Sequence, residues 1–195
     1  MTKFLGLIYP QIPWRAIPQL LLLGVLGTVI AGIYGFLHDQ VTYSISHEYF
    51  TLFKFDQFAH ADFGWGNRMF AGTIGFLATF WIGAIAGWVF GRLSLSPGSP
   101  QPDFPKTLQA IAITFGICVI FGCIGYCWGI IMTPYIESRW SDWRDLFPIT
   151  DLNAFATVGY IHNMGYIGGV VGSIIAGIRL RRQIRRKSDQ KNVAS

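Results

Sequence analysis

The chain has 195 residues, 52% of them hydrophobic and only 13% charged, with a formal net charge of +5. A soluble domain carries about a quarter charged residues, so the composition excludes an ordinary water-soluble globule and indicates one bilayer-resident domain. The positive charge sits in RLRRQIRRK at 179–187, directly after the last apolar run; it predicts contact of Arg181, Arg182, Arg185 and Arg186 with anionic lipid headgroups and argues against nucleic acid.

Four apolar spans follow one another at about 17–37, 69–90, 108–133 and 155–178. Each holds about 20 residues or more, enough at 1.5 Å per residue to cross a hydrocarbon core of about 30 Å. Lipid offers the backbone no hydrogen-bond partner, so the spans must be helices. The prediction is an all-α polytopic membrane protein, a four-helix transmembrane bundle with a polar cap formed by 38–68 and 134–154. The first span follows Pro10, Pro13 and Pro18, is longer than a signal core and has no small-x-small site before His38. It is expected to be a retained helix.

Glycine explains how such helices associate, because close backbone approach requires small residues at four-residue spacing. Gly24, Thr28 and Gly32 mark the first span, Gly83, Gly87 and Gly91 the second, and Gly125 and Gly129 the third. In the fourth, Gly165 and Gly169 overlap with Gly168 and Gly172. These stripes are expected to pack the bundle, and they could equally serve a homo-oligomer or a larger membrane complex.

The first outer segment reads HDQVTYSISHEYFTLFKFDQFAHADFGWGNR. His38 and Asp39 are placed where the first helix leaves the bilayer. Ser46 suits a helix N-cap, with His47 and Glu48 in the first turn. Tyr49, Phe50, Phe53 and Phe58 would form the apolar side of a short interfacial helix, although FKFDQF also alternates as a strand does. His47 reads as solvated, and Asp56, Asp142 and Asp145 read as surface charges paired with Lys54, Arg139 or Arg144. His60, Asp62, Asn67 and Arg68 lead into the second span.

The 91–107 loop, with four prolines, reads as a linker without chemistry. Cys118, Cys123 and Cys127 in the third span read as small apolar packers; Cys123 and Cys127, one turn apart, leave a thiol site as the weaker alternative. The second outer segment holds Glu137, Asp142, Asp145, Asp151, Trp140 and Trp143. His162 and Asn163 fall one or two turns inside the fourth helix, where an imidazole must find a partner.

Of the fifteen lysines and arginines, only Lys54, Arg68, Arg139 and Arg144 lie on the side of the two outer segments. Both termini are therefore expected in the cytoplasm, with the basic tail deciding the orientation. All four histidines and eight of the ten carboxylates then share the opposite, periplasmic face. His38, Asp39, Glu48, His60, Asp62 and His162 are the candidate cluster, with Asn163 and Arg68 supporting. Imidazole with carboxylate is the donor set of Zn, Mn, Fe and Cu centres, accompanies haem, and equally serves acid–base work. His38, Glu48 and His162 carry most weight, but no HExxH or ExxH spacing, nucleophile elbow or CxxC pair is present.

The stretch HDQVTYSIS-x-EYFTLFKFDQF, residues 38–58, resembles a segment of small uncharacterised bacterial integral membrane proteins. The resemblance covers 21 of 195 residues, implies a bacterial inner membrane, and transfers no activity or catalytic residue. With no diagnostic motif spacing, the leading expectation is a binding or assembly subunit working through its periplasmic face. The alternative is a metal- or haem-dependent redox or hydrolytic enzyme with its site at the periplasmic helix ends. A small transporter comes third, because no acid, lysine or arginine lies at the centre of any span.

Overall fold

The computed structural model describes residues 12–96 and 101–194, the side chains of 187–189 and 191–194 excepted. Among these the chain is helical, with no strand. The helices are α1 (Ile17–Ile45), α2 (Asn67–Leu93), α3 (Phe104–Met132), α4 (Ile136–Leu146) and α5 (Leu152–Ala194). Four are long and apolar enough to cross a membrane, which makes this a multi-pass membrane protein with an all-α bundle. Leu21, Leu22, Val25, Val29 and Ile33 on α1 are exposed, the outward apolar face that lipid requires.

Two antiparallel hairpins make up the bundle. In the first, α1 and α2 touch backbone to backbone. A Cβ added at Gly27 would overlap the Gly83 carbonyl, one at Gly35 the Gly75 carbonyl, and one at Gly87 the Leu23 carbonyl. Such proximity lets Thr79 donate across the interface to the Ala31 carbonyl at 2.7 Å. Gly91 is packed less tightly, against the Leu20 and Leu23 side chains.

In the second hairpin α3 lies along α5. Gly125 packs against Tyr160 and Ile161, Gly129 against Thr157, Gly168 against Phe121 and Gly172 against Thr114. Gly165 and Gly169 depart from the expected role. A Cβ on Gly165 would meet nothing within 4 Å, and one on Gly169 only the Cys118 sulfur at 3.7 Å. Both glycines line an internal cavity instead. The reason is rotational: the Gly168 and Gly172 face is turned to α3, and at 3.6 residues per turn the Gly165 and Gly169 stripe lies about 60° round α5 from it.

The hairpins meet sparingly. Phe90 and Leu93 of α2 pack with Ala110 and Ile111 of α3 and with Ala176 and Leu180 of α5 at the inner end, and Tyr34 of α1 lies 5.0 Å from Phe115 of α3. The inner loop is tied by Ser94, which accepts from the Asp103 N–H at 2.9 Å, while Asp103 caps α3 by accepting from the Lys106 N–H. Arg181 departs from the headgroup role: it donates to the Leu93 and Leu95 carbonyls at 3.2 and 3.4 Å. Those carbonyls lie at the C-terminal end of α2, where a helix leaves acceptors unpaired. Arg182, Arg185 and Arg186 are exposed.

At the outer end α1 runs on past 37 to Ile45, because nothing in HDQVTYSI breaks a helix although its hydropathy falls. Ser46 then ends α1 and caps the next segment, accepting from the Tyr49 N–H at 3.3 Å. That segment is a π-helical turn, Tyr49–Lys54, followed by short helical turns to residue 61. Its aromatic side is buried as an interfacial helix requires, and Phe50 is fully enclosed. Phe53 packs edge-on against Trp143 at 5.2 Å, and Tyr49 lies 5.1 Å from Phe155. The segment therefore lies across the mouth between the hairpins as an aromatic lid. Glu48 secures it, accepting from the Thr150 and Asp151 N–H groups at 3.1 and 3.0 Å and from the Thr150 hydroxyl.

Candidate metal centre

Between the hairpins lies a cavity of about 690 Å³, walled by α1, α2, α3 and α5 and closed above by the lid. Most of its wall is apolar. Its histidines and charged groups gather at the outer end, where His38, Asp39, His162 and Lys54 face it, while Thr79, Thr114 and Ser173 line it farther in.

Asp39 and His162 form the centre of this group. The Asp39 side chain is 7% exposed and that of His162 is 9% exposed. Room for the carboxylate is made by Gly75, whose added Cβ would stand 2.9 Å from the Asp39 Cγ. The His162 ring is stacked on Tyr49 at 5.1 Å and flanked edge-on by Phe50. The lid thus fixes the imidazole plane.

Two contacts define the proton inventory. His162 Nδ1 lies 2.9 Å from the Val158 carbonyl, one turn back on α5. A carbonyl can only accept, so Nδ1 carries a hydrogen and donates it. His162 Nε2 then faces Asp39 Oδ1 at 3.2 Å. That contact requires one shared proton, held either as imidazolium and carboxylate or as imidazole and carboxylic acid. In both forms the pair is neutral overall, which suits a buried site.

A cation can take the place of that proton. One donor atom each from His38, Asp39 and His162 lies within 4.8 Å of the others. Bonds of about 2.1 Å around a tetrahedral ion put ligand atoms about 3.4 Å apart, so the widest pair must close by at most about 1.4 Å. Side-chain rotation supplies that. The Val158 carbonyl fixes His162 as the Nδ1–H tautomer and turns Nε2 inward, the outer-shell arrangement typical of metal-bound histidine. His38, its ring 5.1 Å from that of His162, is half-buried, and none of its ring contacts is a hydrogen bond. Three donors converging on one point suit a single ion; haem iron takes protein ligands only along its axis.

The other candidates lie elsewhere. Glu48 is spent on the start of α5, and although its slight burial acts to raise the carboxyl pKa, the hydrogen bonds from Thr150 and Asp151 outweigh that and hold it below the usual range. His60 is exposed beside Phe58, and Asp62 is exposed and accepts from the Gly64 N–H at 2.9 Å. Arg68 donates to Ser44 at 3.1 Å and to Gln40, tying α2 to α1. Asn163 is exposed, one position round the helix from His162. Neither Asp142 nor Asp145 forms an ion pair among the described residues; Arg144 pairs with Glu137 at 2.7 Å instead.

Lys54 is a cavity-lining residue that its charge alone did not reveal. Among the described residues it has no carboxylate within ion-pair distance, Asp56 included. Its ammonium group lies 5.2 Å from the Phe53 ring and 5.9 Å from Tyr49, and it lines the cavity. Burial pushes its pKa down, with Asp39 acting in the opposite sense. A lysine set between two phenylalanines, in FKF, was the available signal.

Compared with protein-family models, curated proteins and solved structures, the chain finds no match in any of the three.

Proposed function

We propose that this protein is a membrane-embedded metalloenzyme, with a single divalent transition ion held by His38, Asp39 and His162 and its open positions facing the intramembrane cavity. Two imidazoles and one carboxylate on one side of an ion are the donor set of catalytic zinc and non-haem iron sites. The observation that carries the reading is the convergence of these donors, from two different hairpins, at the polar end of the cavity. A purely structural role would need only the Asp39–His162 pair, not a second histidine turned toward it. Bound there, the ion would supply Lewis-acid chemistry, or redox chemistry if it is iron.

The glycine stripes favour this reading over an assembly subunit. Most of their contacts are used inside the two hairpins and are not free for a partner helix. The bias of lysine and arginine supports cytoplasmic termini and the resemblance of residues 38–58 supports a bacterial inner membrane; on that reading the site would lie at the periplasmic ends of the spans.

Elemental analysis of detergent-purified wild type beside Asp39→Asn and His162→Gln tests the proposal. About one equivalent of zinc or iron per chain is expected in the wild type. Loss from both variants, with helicity and elution volume retained, would support it. A metal-free wild type reloaded with neither zinc nor iron would overturn it.

A further inference from the structure

The shape and charge of the cavity define what it admits. Along α2 its wall extends from Ile74 to Phe90, roughly 24 Å at 1.5 Å per residue. Spread over that length, about 690 Å³ makes the cavity an elongated passage. A bilayer core of about 30 Å is two acyl layers deep, so one layer is about 15 Å. The cavity thus has the length for one extended chain. The volume lies within the range of about 300–1,000 Å³ typical of sites that take whole small molecules.

Ile82 on α2 and Val170 and Ile174 on α5 line the cavity and are exposed. An opening between those three would let lipid meet the cavity directly. Gly165 and Gly169 keep the α5 wall flat behind it. A glycine inside a helix lowers its stability relative to alanine, and no neighbour at Gly165 requires one. Its effect is to leave space.

The polar end presents a cation. Lys54 faces it with no carboxylate within ion-pair distance among the described residues, so an anionic group there would find a charge partner.

We propose that the cavity binds a single-chain membrane amphiphile with an anionic head, of the fatty-acid kind, entering sideways from the bilayer. Its carboxylate lies at Lys54 and the His38–Asp39–His162 group, and its chain runs inward along Gly165 and Gly169. The proposal rests on the metal-site reading for the chemistry done to the head, but binding is read independently of metal content.

Native mass spectrometry of the full chain in a non-ionic detergent, with palmitate and methyl palmitate as probes, tests it. A 1:1 palmitate complex is expected, with the methyl ester and the Lys54→Gln variant each bound about tenfold more weakly or less. Gly165→Leu fills the passage without displacing backbone and should abolish the complex; Ala78→Phe, from the opposite wall, should do the same. Equal binding of acid and ester, or undiminished palmitate binding by a folded Gly165→Leu, would overturn the proposal. Palmitate bound by a metal-free Asp39→Asn variant would uphold it even if the metal reading failed.

Discussion

Gly35→Ala and Gly165→Ala each add one methyl group to a spanning helix, and they should shift stability in opposite directions. At Gly35 the new Cβ would overlap the Gly75 carbonyl oxygen and the Thr79 hydroxyl and stand 2.7 Å from the Gly75 carbonyl carbon. Backbone cannot rotate away as a side chain can, so α1 and α2 must separate, and overpacking of this kind costs about 1–3 kcal/mol. Separation also strains the Thr79 bond to the Ala31 carbonyl, worth about 0.6 kcal/mol between membrane helices. Alanine returns about 0.5–1 kcal/mol through helix propensity. The net effect is a loss of about 1–3 kcal/mol. At Gly165 nothing lies within 4 Å of the added carbon, so only the gain of about 0.5–1 kcal/mol remains. Reversible unfolding in mixed detergent micelles, followed by circular dichroism, measures both. A Gly165→Ala variant as damaged as Gly35→Ala would show that α5 is packed there and that no cavity lies beside it.

Further outcomes follow from the lid and the buried pair. Glu48→Ala should cost about 1–2 kcal/mol, because two N–H groups at the start of α5 lose their acceptor. The Glu48 pKa is depressed in the fold, so its contribution is present above the unfolded value near 4.5 and fades as pH falls through the lower folded one. Thermal melts of wild type and Glu48→Ala should therefore converge as the solution is acidified below that value. Phe50→Ala, at a side chain 0% exposed, should cost about 3–5 kcal/mol and speed hydrogen exchange across the lid before the hairpins. Asp39→Ala should cost about 1–3 kcal/mol by leaving His162 Nε2 unpaired in a buried site. Asp39→Asn can donate to that nitrogen, so its melting temperature should stay near wild type while metal is lost.

How far the sequence could be read depended on the range of the physics involved. Spanning helices follow from local composition, and the glycines of the second and third spans do pack where their spacing suggests. Hydropathy alone ends the first span at 37, because it falls at His38, whereas the backbone continues as a helix until Ser46. The Gly165–Gly169 spacing matches that of a packing stripe, and only the rotation of α5 distinguishes a contact face from a cavity wall. Glu48 finds its partners about a hundred residues away, beyond any local pattern. Of six candidate donors three converge, and these three lie on spanning helices. Helix register brings them together, while His60 and Asp62 follow an exposed turn.

The two hairpins are each locked by backbone contact between their own helices, and they meet each other mainly around a void. Most residues that hold the fold together are therefore not the residues that shape its interior. Changes at Ala78, Gly165 or Val170 can alter the width, length or polarity of the passage without disturbing the glycine contacts within either hairpin. A lineage with this architecture could exchange one hydrophobic ligand for another by single substitutions, each nearly neutral for folding, while the outer donors stay in register.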